Sequence, residues 1–198
     1  MKHKLVALLS LLLLGACHVP MAHQATSDLW ISGDPMDSGW KMCGPGEFVV
    51  EDGVLKTTGG MGMLWYSAED FEDFELSLEW MVKDASYNSG VFVRFPDPGQ
   101  EPYVAVNHGY EIQICDLAKP KHNTGSVYSF QAATSIPTFE PGMWNEMRIK
   151  VIGQHYEIFV NDQLVNTYEG DRSAHGFIGL QNHDDHSPVR FRNIRVTR

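Results

Sequence analysis

The chain reads GYEIQICD from Gly109 to Asp116, and apolar and polar side chains alternate along this stretch. A period of two predicts a β-strand with one face in a core and the other face displayed. The apolar side chains share one face: Tyr110, Ile112 and Ile114. Glu111 and Gln113 share the other face with Cys115. A carboxylate beside an amide on a rigid strand suits binding or deprotonating a polyhydroxylated ligand, although a plain solvated face has the same pattern.

Most other segments also alternate, or form short apolar runs between turns. The predicted strands cover residues 48–50, 54–57, 63–66, 74–82, 91–95, 144–152, 156–160, 163–168, 176–181 and 189–196. No amphipathic helix longer than about two turns is predicted. Residues 117–141 form a long irregular segment, and long loops in compact domains often carry function. About ten short strands separated by turns predict an all-β sandwich.

The stretch IFVNDQLV, from Ile158 to Val165, narrows this prediction. Asn161 and Asp162 form a tight turn between two short strands. Such a hairpin is common in jelly-roll sandwiches of the legume-lectin kind. We therefore expect a jelly roll of two curved antiparallel sheets, a fold in which the concave face often holds a sugar.

The start of the chain indicates a bacterial lipoprotein. Lys2 and Lys4 precede an apolar run over residues 5–14, which has the length of a signal peptide. The run ends in Leu14-Gly15-Ala16-Cys17, which resembles a bacterial lipobox. The resemblance implies lipidation at Cys17 after removal of the signal peptide. The alternative is a plain secretory signal followed by a chance cysteine.

These features divide the chain into a signal peptide over residues 1–16, a lipidated cysteine and tether over residues 17–27, and one domain over residues 28–198. Several acyl chains hold a protein on a membrane surface without spanning it. His18, in place of Asp, favours the outer membrane. We therefore expect a protein of the bacterial cell envelope, anchored in the outer membrane and facing either the periplasm or the exterior.

Charge and cysteine content limit the partners. The chain has 15 Lys and Arg against 25 Asp and Glu, a net charge of −10. Such a surface repels nucleic acid, and no basic cluster offsets it, so no nucleic-acid partner is expected. Besides Cys17, the chain has Cys43 and Cys115. An oxidising compartment would permit them to pair, but the sequence leaves the pairing open.

Polar side chains that the strand pattern gathers on one face are candidates for a site. Arg94 interrupts an apolar strand, which is unfavourable unless it meets a carboxylate or a ligand; the alternative is an internal ion pair with Glu111 or Glu79. Asp116 reaches the same face only if a bulge intervenes, and otherwise caps a loop. Gln181 and His183 share a face after another strand, and an imidazole is a candidate general base.

Metal binding is a further alternative. The run from His183 to His186 contains two histidines and two aspartates, which are suitable ligand types. Consecutive residues on a turn do not easily close around one ion. The sequence therefore leaves the binding of a divalent metal as an alternative, and it does not firmly predict a cofactor.

Six motifs occur in an order that resembles the 3-keto-disaccharide hydrolase family. They are Asn88-Ser89-Gly90-Val91-Phe92-Val93-Arg94, Gly109-Tyr110-Glu111-Ile112-Gln113-Ile114, Thr124-Gly125-Ser126-Val127-Tyr128, Pro141-Gly142-Met143-Trp144-Asn145, Ile178-Gly179-Leu180-Gln181-Asn182-His183 and Phe191-Arg192-Asn193-Ile194-Arg195-Val196. The resemblance covers about residues 28–198 and implies a concanavalin-like sandwich that cleaves 3-keto-glycosides. Two departures stand out: Cys115 replaces an apolar residue, and Asp184-Asp185-His186-Ser187 replaces a segment in which glycine is expected.

The family also resembles laminarinase-type glucanases, whose strand reads Glu-x-Asp-x-Glu. The corresponding positions here are Glu111, Gln113 and Cys115, so only a bulge that brings in Asp116 would restore a pair of carboxylates for hydrolysis with retention of configuration. A glucanase-like hydrolase is therefore a lesser alternative.

For this implied activity we hypothesise C2 deprotonation of a 3-keto sugar, β-elimination at C1 and hydration. A ketone at C3 acidifies the C2 proton, so these steps need one base and no carboxylate pair. The base would be Glu111 or His183, and Arg94 would hold the 3-oxygen. Hydroxyl binding would fall to Gln113 and Gln181, and protonation of the leaving oxygen to Tyr128 or Asp116.

The rival hypothesis is a non-catalytic glycan-binding lipoprotein. Trp65, Tyr66 and Trp80 would stack on sugar rings, although core packing is the more ordinary role of such aromatics. A third hypothesis is an envelope protein with a partner surface.

Overall fold

The computed structural model describes residues 25–30 and 32–198. Cys17, the signal peptide and most of the proposed tether lie outside the described residues. Strand β1 begins at Thr26, two residues before the start predicted for the domain. In the described part of the chain, no helix has the length and apolar character needed to cross a membrane.

Thirteen strands build the fold: β1 Thr26–Trp30, β2 Trp40–Cys43, β3 Glu47–Glu51, β4 Val54–Thr58, β5 Gly62–Phe71, β6 Phe74–Met81, β7 Ser89–Phe95, β8 Tyr110–Ile114, β9 Asn145–Ile152, β10 His155–Val160, β11 Gln163–Glu169, β12 Gly176–Asn182 and β13 Arg190–Thr197. Helix α1 spans Tyr103–His108, and 3₁₀ turns span Pro35–Ser38 and Pro120–His122.

The strands form two antiparallel sheets. One has eight strands in the order β11-β10-β9-β6-β13-β4-β3, with β1 also paired to β13. The other has five strands in the order β2-β5-β12-β7-β8. The prediction of an all-β, concanavalin-like sandwich is confirmed.

Alternation along the strands explains how the sheets pack. In β6, Phe74, Leu76, Leu78 and Trp80 are buried, whereas the residues between them are partly exposed. The buried set belongs to one large apolar cluster between the sheets. Burial of large apolar side chains is the main favourable term in folding, so this cluster fixes the register of both sheets.

The outer face of the five-stranded sheet carries a second, smaller apolar cluster. Met63, Trp65, Phe92 and Phe95 belong to it, and their neighbours along the strands face the interior instead. Ala105 of helix α1 is fully buried against this cluster, so the helix covers part of the outer face. The uncovered part of that face adjoins the helix.

Cys43 and Cys115 are both buried free thiols. Cys43 lies in the outer cluster, and the Cys115 thiol lies 3.7 Å from the carbonyl oxygen of Ser86. Burial is the largest cause that raises the pKa of each thiol.

Candidate functional site

A cavity of about 360 Å³ opens on the outer face of the five-stranded sheet, beside helix α1. Its polar lining consists of Asn88, Glu111, Gln113, Tyr128, Gln181 and His183. Five of these six residues are candidates named from the sequence, and Asn88 is new. The fold therefore brings together polar side chains that are up to 95 positions apart in the chain, from Asn88 to His183.

Register across three neighbouring strands builds the polar wall. Gly90 of β7 lies opposite Gln113 of β8, and Phe92 lies opposite Glu111. On the other side of β7, the Ser89 hydroxyl donates to the carbonyl oxygen of Gln181 at 2.6 Å, which fixes the end of β12. Gly90 thus occupies the middle of the wall and has no side chain to fill it.

The Glu111 side chain uses the space above Gly90. A Cβ atom at position 90 would lie 2.7 Å from Cγ of Glu111, well inside normal contact. Glu111 is 4% exposed, and burial raises the pKa of its carboxyl to about 8, although a hydrogen bond from the Gln181 side chain acts in the opposite direction. A strongly raised pKa at a cavity wall is typical of a functional acid or base.

Amide groups surround this carboxyl. Gln113 is almost fully buried, and its Nε2 donates to Oδ1 of Asn88 at 2.6 Å. This bond orients the Asn88 amide and leaves its Nδ2 group as a donor for a ligand. The Oε1 atoms of Gln113 and Gln181 are buried and have no hydrogen-bond partner among the described residues. Unpartnered buried acceptors are unfavourable, so a hydroxyl donor from a ligand would stabilise this wall.

His183 and Tyr128 complete the polar lining. Nδ1 of His183 lies 2.6 Å from Oδ2 of Asp184, which leaves Nε2 available. Burial alone would raise the pKa of the Asp184 carboxyl. Hydrogen bonds from His183 and from the backbone of His186 outweigh this effect, so the pKa is lowered overall. Tyr128 packs on the His122 ring, with the ring centroids 4.3 Å apart.

The prediction that Arg94 faces the site is wrong. Arg94 has a φ of 55°, and the pairing of β7 with β12 skips it, so a bulge breaks the alternation there. Its fully buried guanidinium instead donates to the carbonyl oxygens of Gly153 and Glu72 and lies 3.5 Å from Asp73. This also corrects the ion pairs considered with Glu111 or Glu79.

Asp116 also lies away from the cavity lining, contrary to the role considered for it as an acid. Its two carboxylate oxygens accept hydrogen bonds from Thr124 at 2.5 Å and from Thr138 at 2.6 Å. Asp116 therefore fastens the long loop to the end of β8. Among the described residues that line the cavity, Glu111 alone carries a carboxyl group, so the glucanase pair is not formed.

The aromatic residues proposed as sugar platforms pack in the two apolar clusters. Trp65 contacts Phe177 edge-on in the outer cluster, with the ring centroids 4.9 Å apart, and Trp80 is buried between the sheets. Tyr66 packs against the interior cluster. Over residues 25–30 and 32–198, no group of three or more His, Cys, Asp or Glu side chains is placed to hold a metal ion.

Sequence reasoning missed the apolar wall of the cavity: Met61, Gly62, Phe92, Pro102, Tyr103 and Val106. Three of these residues lie on or next to helix α1, whose six residues are too few to show a helical period. Asn88 could have been identified as a site residue from the sequence, because it is the first residue of the first of the six motifs.

Comparison with known proteins adds a family and a fold. A family model described as the 3-keto-alpha-glucoside-1,2-lyase-like domain matches residues 29–197. A search of curated proteins found no match. The structure of a candidate glycosyl hydrolase from Parabacteroides distasonis superposes with a TM-score of 0.72 and 27% identity, over 87% of this chain and 98% of the other.

More distant structures share the fold alone. The carbohydrate-binding module CBM66 from Bacillus subtilis has a TM-score of 0.58 and 16% identity, over 79% of this chain and 94% of the other. A Bacillus subtilis protein of unknown function with a galectin-like fold has a TM-score of 0.57 and 12% identity, over 87% and 94%.

Proposed function

Because this chain belongs to the 3-keto-alpha-glucoside-1,2-lyase-like family, we propose that it cleaves 3-keto-glycosides, 3-keto-disaccharides among them, by elimination at C1. The family and the resemblance to a candidate glycosyl hydrolase support a function on carbohydrates. The finer assignment rests on the chemistry of the cavity.

A ketone at C3 acidifies the proton on C2. A base removes that proton and leaves an enediolate, with negative charge on the 3-oxygen. The electron pair between C2 and C3 of the enediolate then shifts to form a C1–C2 double bond, and the ketone at C3 re-forms. The C1–O bond breaks, and its electron pair leaves with the oxygen, which takes up a proton. Addition of water across the C1–C2 double bond of the resulting 3-keto-2-hydroxy-glucal gives the free 3-keto sugar and completes a net hydrolysis. These reaction steps require one base, one hydrogen-bond donor at the 3-oxygen and one acid at the leaving oxygen.

The observation that carries the proposal is the buried carboxyl of Glu111, with a pKa of about 8, in a cavity lined by three amides. A carboxylate whose conjugate acid has this pKa is a stronger base than an ordinary one, and its pKa is close to neutral pH, where general bases are most effective. Glu111 therefore takes the role of base that the sequence left open between it and His183.

Roles for the remaining groups follow from their positions. Asn88 takes the place proposed for Arg94. Its Nδ2 group has no acceptor among the residues that the structure describes, so it can donate to the 3-oxygen as charge develops. Gln113 and Gln181 bind sugar hydroxyls through their unpartnered oxygens. His183 and Tyr128, at the cavity wall, are the donors to the leaving oxygen.

Incubation with 3-keto-trehalose, with and without chelator, tests the proposal through released glucose. Glu111→Gln keeps the shape of the side chain and should lower turnover at least about 100-fold, the lower range for loss of a general base. The matched control is Glu157→Gln, which removes a carboxyl on β10 of the other sheet, where Lys150 lies 3.5 Å away. Equal turnover in all three proteins would refute the role of Glu111. Binding without release would favour the glycan-binding alternative.

Membrane attachment remains part of the proposal. Cys17, outside the described residues, would carry the lipid that holds the protein in the bacterial outer membrane. Metabolic labelling with a fatty acid should mark the wild-type protein and not the Cys17→Ser variant, and membrane fractionation should show the same difference. Equal labelling of the two proteins would refute lipidation at Cys17.

A further inference from the structure

The cavity has two chemically different halves that meet at Phe92. The polar half lies over Gly90, between Gln113 and Gln181. The other half is walled by Met61, Phe92, Pro102 and Val106, whose side chains have no hydrogen-bonding group other than the weakly accepting sulfur of Met61. Tyr103 stands on the same wall with 57% of its surface exposed.

The apolar half is built before any ligand arrives. Helix α1 is held at its C-terminal end by Arg172, which donates to the carbonyl oxygens of Val106, at 2.8 Å, and Gly109. At its start, the backbone N–H of Tyr103 donates to Glu101 at 3.1 Å. Ala105 anchors the middle of the helix in the outer apolar cluster. These contacts fix the backbone of the helix, and therefore the point from which the exposed Tyr103 side chain extends at the cavity.

We infer that this half binds the leaving group of the substrate, and that the preferred leaving group is an aryl or aryl-alkyl alcohol. The inference rests on the proposed function, which places the sugar ring against the amides of the polar half. A leaving group on C1 then extends across Phe92 towards helix α1. A second sugar placed there would lose water from its hydroxyls and find few partners, whereas an aromatic ring would cover the exposed face of Tyr103.

The test compares two 3-keto-glucosides, one with a 2-phenylethyl group and one with a methyl group at C1. Both leave as simple primary alkoxides, so the contrast reports binding of the ring and not leaving-group acidity. We expect kcat/KM to be about 10-fold or more higher for the 2-phenylethyl compound, the range for a filled apolar pocket. The Tyr103→Ala variant should reduce this ratio to about threefold or less, and Tyr103→Phe should preserve it.

Phe139→Ala is the matched control, since Phe139 is another exposed aromatic residue and does not line the cavity. A wild-type ratio near one, or equal ratios in the Tyr103→Ala and Phe139→Ala variants, would overturn the inference. If neither compound is cleaved, the proposed function fails. Calorimetry can then compare the binding of the unoxidised 2-phenylethyl and methyl glucosides, which tests the apolar subsite independently of cleavage. Tighter binding of the phenylethyl compound that depends on Tyr103 supports the apolar subsite, and equal or absent binding refutes it.

Discussion

Replacing Glu111 with Gln should stabilise the folded protein, and the gain should grow as the pH rises. Burial raises the pKa of this carboxyl from 4.5 to about 8. Between these values the folded chain keeps a proton that the unfolded chain has released. Because the unfolded state then binds fewer protons, the free energy of unfolding of the wild-type protein falls with increasing pH through this window. The Glu111→Gln variant has no such proton.

The size of the stability loss follows from the difference between the pKa values of Glu111 in the unfolded and folded states. Each pKa unit corresponds to about 1.4 kcal/mol, so above pH 8 the charged carboxyl lowers the free energy of unfolding by about 5 kcal/mol. Urea unfolding at about pH 5 and about pH 9 gives the change in the free energy of unfolding between the two pH values for each protein. The difference between the changes in the wild-type protein and in the variant is the contribution of the Glu111 carboxyl. Groups common to both proteins cancel, the cysteine thiols included.

Glu157→Gln again serves as the matched control and should follow the wild-type profile. If wild-type and Glu111→Gln stabilities run parallel between these two pH values, the carboxyl is not desolvated in the folded state. The explanation of Glu111 as a strong buried base would then be wrong.

Three further predictions follow from the same geometry. The kcat/KM for a 3-keto-glycoside should rise with pH and level off above about 8, as the Glu111 carboxylate forms; a profile already flat at pH 6 would contradict this. Gly90→Ala should lower turnover about 10-fold or more, because its methyl group displaces the Glu111 side chain; an unchanged rate would show that the side chain has room to spare. Asp116→Ala should lower the free energy of unfolding by about 1–3 kcal/mol through its lost bonds to Thr124 and Thr138, as measured by urea unfolding, and unchanged stability would contradict that role.

The polar wall was predictable because strand alternation is strict wherever pairing is regular. Glu111 and Gln113 had to share a face of β8, and Gln181 had to leave β12 on the same side of its sheet. The shared face within each strand required no knowledge of the partner strands, whereas the meeting of the two faces on one side of the sheet depends on the pairing of β8 and β12 with β7. The order of the six motifs then supplied the family.

The errors arose where the backbone leaves that regular pattern. Arg94 adopts a left-handed conformation that few residues other than glycine adopt, and nothing in its neighbours signals the bulge. Asp116 lies just past the end of β8, where a carboxylate is equally suited to a ligand or to two threonine hydroxyls. Tyr103 stood in a segment too short to show a period.

The Arg94 guanidinium links the two sheets of the sandwich through hydrogen bonds. It projects from the five-stranded sheet that carries the cavity, and it is fastened to turns at Gly153 and Glu72 that belong to, or lead into, the opposite sheet. Sliding one layer over the other would break both bonds and expose a buried cation. The sheet that carries Glu111 is therefore expected to keep its position against the opposite sheet throughout a catalytic cycle.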